Sequence, residues 1–292
     1  MRRIPESQLV LAADGSVYHL RLHPHQLADD IILVGDPSRV EMVSSFFDQL
    51  EYKVSNREVY TNTGTYKGKR VTALSTGMGP DNIDIVLNEL DALANVDLRT
   101  RKVKSNLKSL NLIRLGTSGA LQADIPTGDS FVAGKMALGF DGIVYFYDKS
   151  KDVVLQDFTD AFVADTDWPS TLPYPYVVRG SQRLLDKIAF DCTQGITATA
   201  GGFYAPQGRA LRLGLAHEEM NKRIEAFRFK GERVTNLEME SSALYGLSQM
   251  MGHQALTICV IIANRVTEQF SSNYQPYMLK LIKQTLDRIA AD

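Results

Sequence analysis

The first strong pattern along the chain is an unbroken apolar run, Ile31-Ile32-Leu33-Val34, followed by Gly35-Asp36-Pro37-Ser38-Arg39-Val40 and an amphipathic stretch to about Asp48. Such a run predicts a strand buried on both faces, and the change to helical spacing predicts a strand–loop–helix unit. Alternating positions and turn residues then predict a β-meander over 51–75, with strands at Tyr52–Val54, Arg57–Tyr66 and Arg70–Ser75 and with Arg57 opening the middle one. A helix from about Ile83 to Ala94 follows, then a strand that starts near Leu110 and gives way at Gly116-Thr117-Ser118-Gly119 to a loop. Residues 125–190 read as short strands and loops, strand-like at Gly128–Ala133 and with a proline-aromatic loop from Trp168 to Tyr176. Helix 181–190, strand 191–200, helix 216–227, a strand near Arg233-Val234, helix 241–251, strand 255–262 and a last helix over about 274–291 complete the alternation. No linker composition and no repeat interrupts it, so one α/β domain spanning 1–292 is expected.

Composition narrows the functions this frame can carry. The hydrophobic fraction of 44% supports a sizeable core, and a formal net charge of -2 argues against general binding of polyanions. Any handling of phosphate must rest on a few placed arginines. The basic stretch 98–108 lacks interleaved aromatics and reads as a solvated surface, so no nucleic-acid partner is expected. No apolar run approaches membrane-spanning length, the first residues lead into no signal-peptide core, and Cys192 and Cys259 are far apart. The cytoplasm is the expected compartment. His19, His23 and His25 cluster around Pro24, which prevents a regular helix, and no acid or cysteine completes a ligand set, so no metal site is expected.

The candidate chemistry sits in turns. Gly35 with Arg39 at a helix start forms a plausible anion cradle. Thr76-Gly77-Met78-Gly79-Pro80-Asp81-Asn82 lacks the third glycine and the distant acid of a dinucleotide fingerprint. Arg114 lies inside an apolar strand and needs a partner; an anion held with the following Gly-Thr-Ser-Gly segment and a buried arginine–carboxylate pair both satisfy it. Phe203, Gln207 and Arg209 follow Gly201-Gly202 and suit a planar amide-bearing heterocycle: a ring for its face, an amide for its edge, a guanidinium for a carbonyl gaining charge. Glu238 and Glu240 precede a small-residue helix. Two positions apart on a helix means about 200° of divergence, so one of them is expected to face a site.

Gly35-Asp36-Pro37-x-Arg39, Arg114-x-Gly116-Thr117-Ser118-Gly119, Phe203-Tyr204-x-x-Gln207-x-Arg209, Glu238-Met239-Glu240-Ser241 and Ile262-Ala263-Asn264-Arg265 stand in this order. In that order they resemble the uridine phosphorylases of the trimeric/hexameric-type nucleoside phosphorylase family, from about His19 to the end of the chain. The resemblance implies a three-layer α/β/α sandwich with a mixed, partly barrel-like central sheet, and phosphorolysis of uridine to uracil and ribose 1-phosphate. It implies that Gly35, Arg39, Arg114 and Thr117 hold phosphate, joined by Arg57 from a partner chain. Met239 and Glu240 would hold the ribose, with the partner's His19 near the 5′-hydroxyl, and Phe203, Gln207 and Arg209 would hold the base. Glu238 would support Glu240 or make a weaker contact.

The resemblance further implies a homodimer as the minimum unit, with hexamers as the larger alternative, and phosphate as co-substrate with no required cofactor. A monovalent cation at the dimer interface near Glu58 and Ser75 is the one ion it brings in. Gly201-Gly202, Ala205-Pro206 and Gly208 depart from the bacterial pattern of the base loop, and 95–108 is longer than in compact bacterial members. Purine nucleoside phosphorolysis is the alternative activity; it needs an acid at the place matched by Asn264. An N-ribosyl hydrolase and a non-catalytic nucleoside-binding protein are the remaining alternatives.

Overall fold

The computed structural model describes residues 3–291; Met1, Arg2 and Asp292 lie outside the described residues. In chain order the elements are β1 (Asp30–Val34), α1 (Pro37–Ser44), β2 (Gln49–Asn56), β3 (Val59–Tyr66), β4 (Lys69–Ser75), α2 (Pro80–Asn95), β5 (Val96–Asp97), β6 (Lys102–Val103), β7 (Asn111–Ala120) and β8 (Phe131–Gly139). Then come α3 (Ser150–Val153), α4 (Gln156–Thr166), β9 (Tyr176–Arg179), α5 (Gln182–Ile188), β10 (Thr193–Thr199), α6 (Met220–Ala226), β11 (Arg228–Phe229), β12 (Glu232–Glu238), α7 (Ser241–Met251), β13 (Gln254–Asn264), β14 (Gln269–Phe270) and α8 (Gln275–Ala290).

Every residue of β1 is buried, and the strand lies between β4 and β7, parallel to both. Its alternate side chains enter two different cores. Ile31 and Leu33 pack with Ile83, Leu87 and Leu90 of α2 and Leu244 and Leu247 of α7, whereas Ile32 and Val34 pack with Val40 and Val43 of α1 and Leu281, Ile282 and Leu286 of α8. Helices therefore cover both faces of the sheet, which is why the strand is apolar without alternation. A third cluster joins Phe158 and Phe162 of α4 to Phe227 and Ile224 beside β10 and β12.

The sheet is half open and half closed. On one side of β7 the order β1, β4, β3, β2 forms an open wing, and on the other β13, β8, β10 and β12 follow until β12 returns to pair with β7. That return closes a five-stranded ring, so the three-layer sandwich with a partly barrel-like sheet is the architecture found. β7 serves both halves in turn. It pairs with β1 as far as Leu33↔Arg114, and with β12 only at Gly119 and Ala120. Between those pairings the two neighbours part company, and a crevice opens beside residues 115–118.

Several boundaries differ from the sequence expectation for identifiable reasons. Gly116–Gly119 is strand rather than loop, because β13 pairs along β7 as far as Ala120. Arg57 does not open a strand; it sits in the two-residue turn between β2 and β3 with φ 54°, a left-handed conformation. α1 stops at Ser44, short of Asp48. β8 begins at Phe131 and extends to Gly139, and α4 occupies a region expected to hold strands and loops. Among the described residues, no helix is long and apolar enough to cross a membrane.

The middle of α7 is tied to the ring through the Tyr245 side chain. The buried Tyr245 hydroxyl donates to the Gly134 carbonyl of β8 at 2.7 Å and accepts the Thr257 N–H of β13 at 2.7 Å. Tyr245→Phe leaves that N–H and that carbonyl without this partner, and urea unfolding is expected to show a loss of about 1–3 kcal/mol. A loss below roughly 0.3 kcal/mol would mean that the hydroxyl does not hold helix to ring.

Candidate active site

Turns at the ends of β1, β4, β7, β10 and β12 surround a cavity of about 730 Å³ at the crevice. Gly35 and Arg39, Arg114 and Thr117, Phe203, Gln207 and Arg209, and Met239 and Glu240 all line it. These are the residues that the sequence placed in a phosphate end, a ribose middle and a base end. His19 and Arg57 do not line it. Asp36 caps α1 by accepting the Ser38 N–H at 2.8 Å, and Pro37 opens the helix, which fixes the turn between Gly35 and Arg39. Arg39 also lies over the Tyr274 ring, 5.8 Å from its centroid.

At the centre is a buried ion cluster. Arg114 Nη2 donates to Glu240 Oε2, and Arg114 Nη1 lies 3.5 Å from Glu238 Oε2. Of the two alternatives for Arg114, the carboxylate pairing is present, and the arginine also borders the cavity. Burial alone would push its guanidinium down, but the charges of Glu240 and then Glu238 outweigh that and hold it above its ordinary value. Burial raises the Glu240 carboxyl, against the opposing pull of Arg114. Gly116 makes room for this arrangement, since a Cβ there would come within 2.2 Å of Arg114 Nη1.

The two glutamates divide their work. Glu238 accepts the N–H groups of Glu240 and Ser241 at 3.0 Å and the Thr199 hydroxyl at 2.7 Å, so it caps the start of α7. Glu240 is left to face inward, with Oε1 accepting the Gly79 N–H at 2.8 Å. The strand–turn–helix geometry resolves the divergence of the i, i+2 pair by placing Glu238 in β12 and Glu240 in the turn.

The base end is set by a tight loop. Gln207 is buried, Arg209 Nη1 donates to its Oε1 and to the Phe203 carbonyl, both at 2.6 Å, and Gln207 Nε2 donates to the Glu238 carbonyl at 3.4 Å. The Arg209 guanidinium lies 3.8 Å from the Phe203 ring centroid. It therefore covers a ring face that the sequence reading assigned to a base. Burial, then the charge of Arg265, lowers the Arg209 guanidinium to about 10, which leaves it protonated at neutral pH. Gly208 has φ 67°, and a Cβ there would meet Asn221 Nδ2 at 2.3 Å, while that amide donates to the Gln207 carbonyl at 3.0 Å. The unusual Gly208 thus has a steric reason.

His19 and Arg57 come together elsewhere on the surface. Arg57 lies over the Tyr18 ring, 5.9 Å from its centroid, the same ring packs edge-on against His19, and Asn56 Nδ2 donates to the His19 carbonyl at 2.8 Å. Asn264 faces away from the cavity. Its Nδ2 donates to the carbonyls of Gln122 and Ile125, and its Oδ1 accepts the N–H groups of Val266 and Thr267, all at 2.9 Å. The match of this position to a purine-protonating acid therefore does not carry over into geometry.

The turn after β4 is a wall element missed in the sequence. Gly77, Met78 and Asn82 line the cavity, and Gly79 supplies the N–H that holds Glu240. The available signal was positional: like Gly35, this glycine turn directly follows a buried strand. Glu58 and Ser118 also line the wall, and Arg265, half-buried, donates to the Gly208 carbonyl at 3.2 Å.

The chain belongs to the Phosphorylase superfamily, whose pattern it matches over residues 29–289. It is 30% identical over 257 residues to a uridine phosphorylase of Thermococcus kodakarensis, covering 88% of this chain and 80% of that one. It is also 30% identical over 275 residues to a DeoD-type purine nucleoside phosphorylase of Clostridium perfringens, covering 92% and 97%. Among solved structures, a Trypanosoma brucei nucleoside phosphorylase described as showing uridine phosphorylase activity superposes with a TM-score of 0.84 at 30% identity, covering 96% and 99%.

Asn264→Asp removes two donors from buried carbonyls and adds a buried charge. Urea unfolding is expected to show a loss of at least about 1–3 kcal/mol, with no rise in inosine cleavage. Efficient inosine cleavage by this variant would contradict the orientation of Asn264.

Proposed function

We propose that this protein is a pentosyltransferase that cleaves uridine with phosphate, giving uracil and ribose 1-phosphate. The observation that carries the reading is one cavity in which the Arg114–Glu240 pair stands between an arginine-bearing turn and the Gln207–Arg209 loop. A phosphate oxygen forms a bond to C1′ as the C1′–N1 bond breaks, and the bonding pair leaves on uracil, which afterwards takes a proton from water. Charge moves from phosphate toward the base, so catalysis rests on positioning and on donors that strengthen as the base becomes anionic.

In this reading the Gly35 N–H, Arg39, Arg114 and Thr117 hold phosphate. Glu240 keeps one oxygen on Arg114 and turns the other from Gly79 toward the ribose hydroxyls, against which Met239 packs. Gln207 and Arg209 hold the uracil edge and stabilise its negative charge, with Arg209 sliding off the Phe203 ring so that the ring covers the base. Arg57 and His19 reach the cavity of a second copy, which makes a homodimer the working unit and a hexamer of three such dimers its larger form. The two free cysteines and the small, polar substrates fit a cytoplasmic enzyme.

No step is routed through a cofactor. A monovalent cation near Glu58 and Ser75 has a narrow footing, because Ser75 Oγ already donates to the Glu58 carbonyl and accepts the Tyr60 N–H. Purine nucleosides are the second reading, supported by the purine phosphorylase relative at equal identity.

The test is to supply uridine, inosine and adenosine in turn, with and without phosphate, and to follow free base. Uracil release that requires phosphate is expected; inosine turnover rivalling uridine would favour the purine reading, and phosphate-independent release a hydrolase. In the same assay Arg209→Ala should lower kcat about 10²–10³-fold while changing the KM for phosphate little. An unchanged kcat would remove Arg209 from the chemistry.

A further inference from the structure

Outside the cavity, one side chain is held with more care than a surface histidine needs. His19 Nδ1 lies 2.6 Å from Oε1 of Glu89, and the His19 backbone N–H donates to the same carboxylate at 3.0 Å. Glu89 is buried on α2 and also accepts the Leu20 N–H at 2.8 Å. Asn56 holds the His19 carbonyl, and Tyr18 packs edge-on 5.0 Å from the ring. The imidazole nevertheless keeps 33% of its side chain exposed.

The chemistry of the pair fixes the tautomer. A carboxylate that gathers backbone N–H groups offers its neighbour an acceptor. In the neutral imidazole the shared hydrogen therefore sits on His19 Nδ1, and Nε2 carries the lone pair. A hydroxyl can donate to that lone pair. A methyl group or a phosphate dianion cannot.

We propose that Glu89 is a positioning residue that fixes His19 as a hydrogen-bond acceptor, and so makes the site served by His19 select nucleosides with a free 5′-hydroxyl. This rests on the reading that His19 enters the cavity of a second copy. Glu89 acts only through His19 and touches no reacting atom. It binds the segment carrying His19 to the core helix α2.

The test compares kcat/KM for uridine with kcat/KM for 5′-deoxyuridine, a ratio that does not depend on the fraction of folded enzyme. Wild type should prefer uridine by about tenfold or more, the scale of one hydrogen bond. His19→Ala should bring the ratio close to one. Glu89→Gln, whose amide can donate to Nδ1 and reverse the tautomer, should bring it most of the way, and the double variant should match His19→Ala. A collapsed ratio in His19→Ala with a wild-type ratio in Glu89→Gln would overturn the proposal while sparing the placement of His19. A wild-type ratio in His19→Ala would overturn that placement, and the proposal with it. Histidine ¹⁵N spectra of the wild-type protein need no Glu89 variant: with the His19 signal assigned by its loss in His19→Ala, an Nδ1–H tautomer is expected, and an Nε2–H tautomer overturns the proposal.

Discussion

A buried guanidinium is the constraint around which this molecule is arranged. Removing an arginine from water costs several kcal/mol, about what its partners must return. Arg114 lies at the last residue where β7 still pairs with β1, and the strand then curls away to close the ring with β12. The strand that joins open wing to closed ring thus carries a charge at the point where the sheet splits. Glu240 and Glu238 meet that charge from the end of β12, and Gly116 gives it space. The closed ring and the ion cluster therefore share the same strand ends.

The same cluster sets how the two ends of the cavity communicate. Arg114 and Glu240 line one cavity with Gly35 and Arg39 and with Gln207 and Arg209, and Glu240 is held by the Gly79 N–H. In the proposed reaction, phosphate and ribose would bind to opposite members of one ion pair, which places the attacking oxygen and C1′ near each other without a covalent helper. The base end is preassembled differently, by an amide and a guanidinium that hold one another and by glycines that let the loop turn tightly. Arg209 would, in the proposed reaction, leave the Phe203 ring for a base to stack there.

Residues whose chemistry conflicts with their surroundings were the legible ones. Arg114 in an apolar strand, arginines beside glycine turns and paired glutamates before a helix all pointed to the cavity, as did the buried run of β1 to a doubly covered sheet. Features that depend on backbone direction were hidden. The Gly77–Gly79 turn contributes an N–H, which no side-chain pattern announces. Asn264 looked like a base contact by position, yet four local hydrogen bonds turn it away. α4 was hidden because Phe158 and Phe162 find their partners Phe229 and Phe227 far along the chain. The left-handed turn at Arg57 was also invisible, since charged residues enter such turns only when the flanking strands require it.

In the proposed reaction a working site takes residues from two chains, because Arg57 and His19 lie together, apart from the cavity. In a two-fold pair the interface is used reciprocally, so complementary defects can be sorted into different pockets. Arg57→Asn, chosen because asparagine tolerates the left-handed turn, and Arg209→Ala should each give a nearly inactive homodimer. Unfolding and refolding the two together in equal amounts gives half heterodimers under random pairing, each with one intact pocket. Activity should then approach about a quarter of wild type. Co-refolded protein no more active than the separately refolded parents mixed briefly, with heterodimers confirmed by tag pull-down, would contradict a shared site.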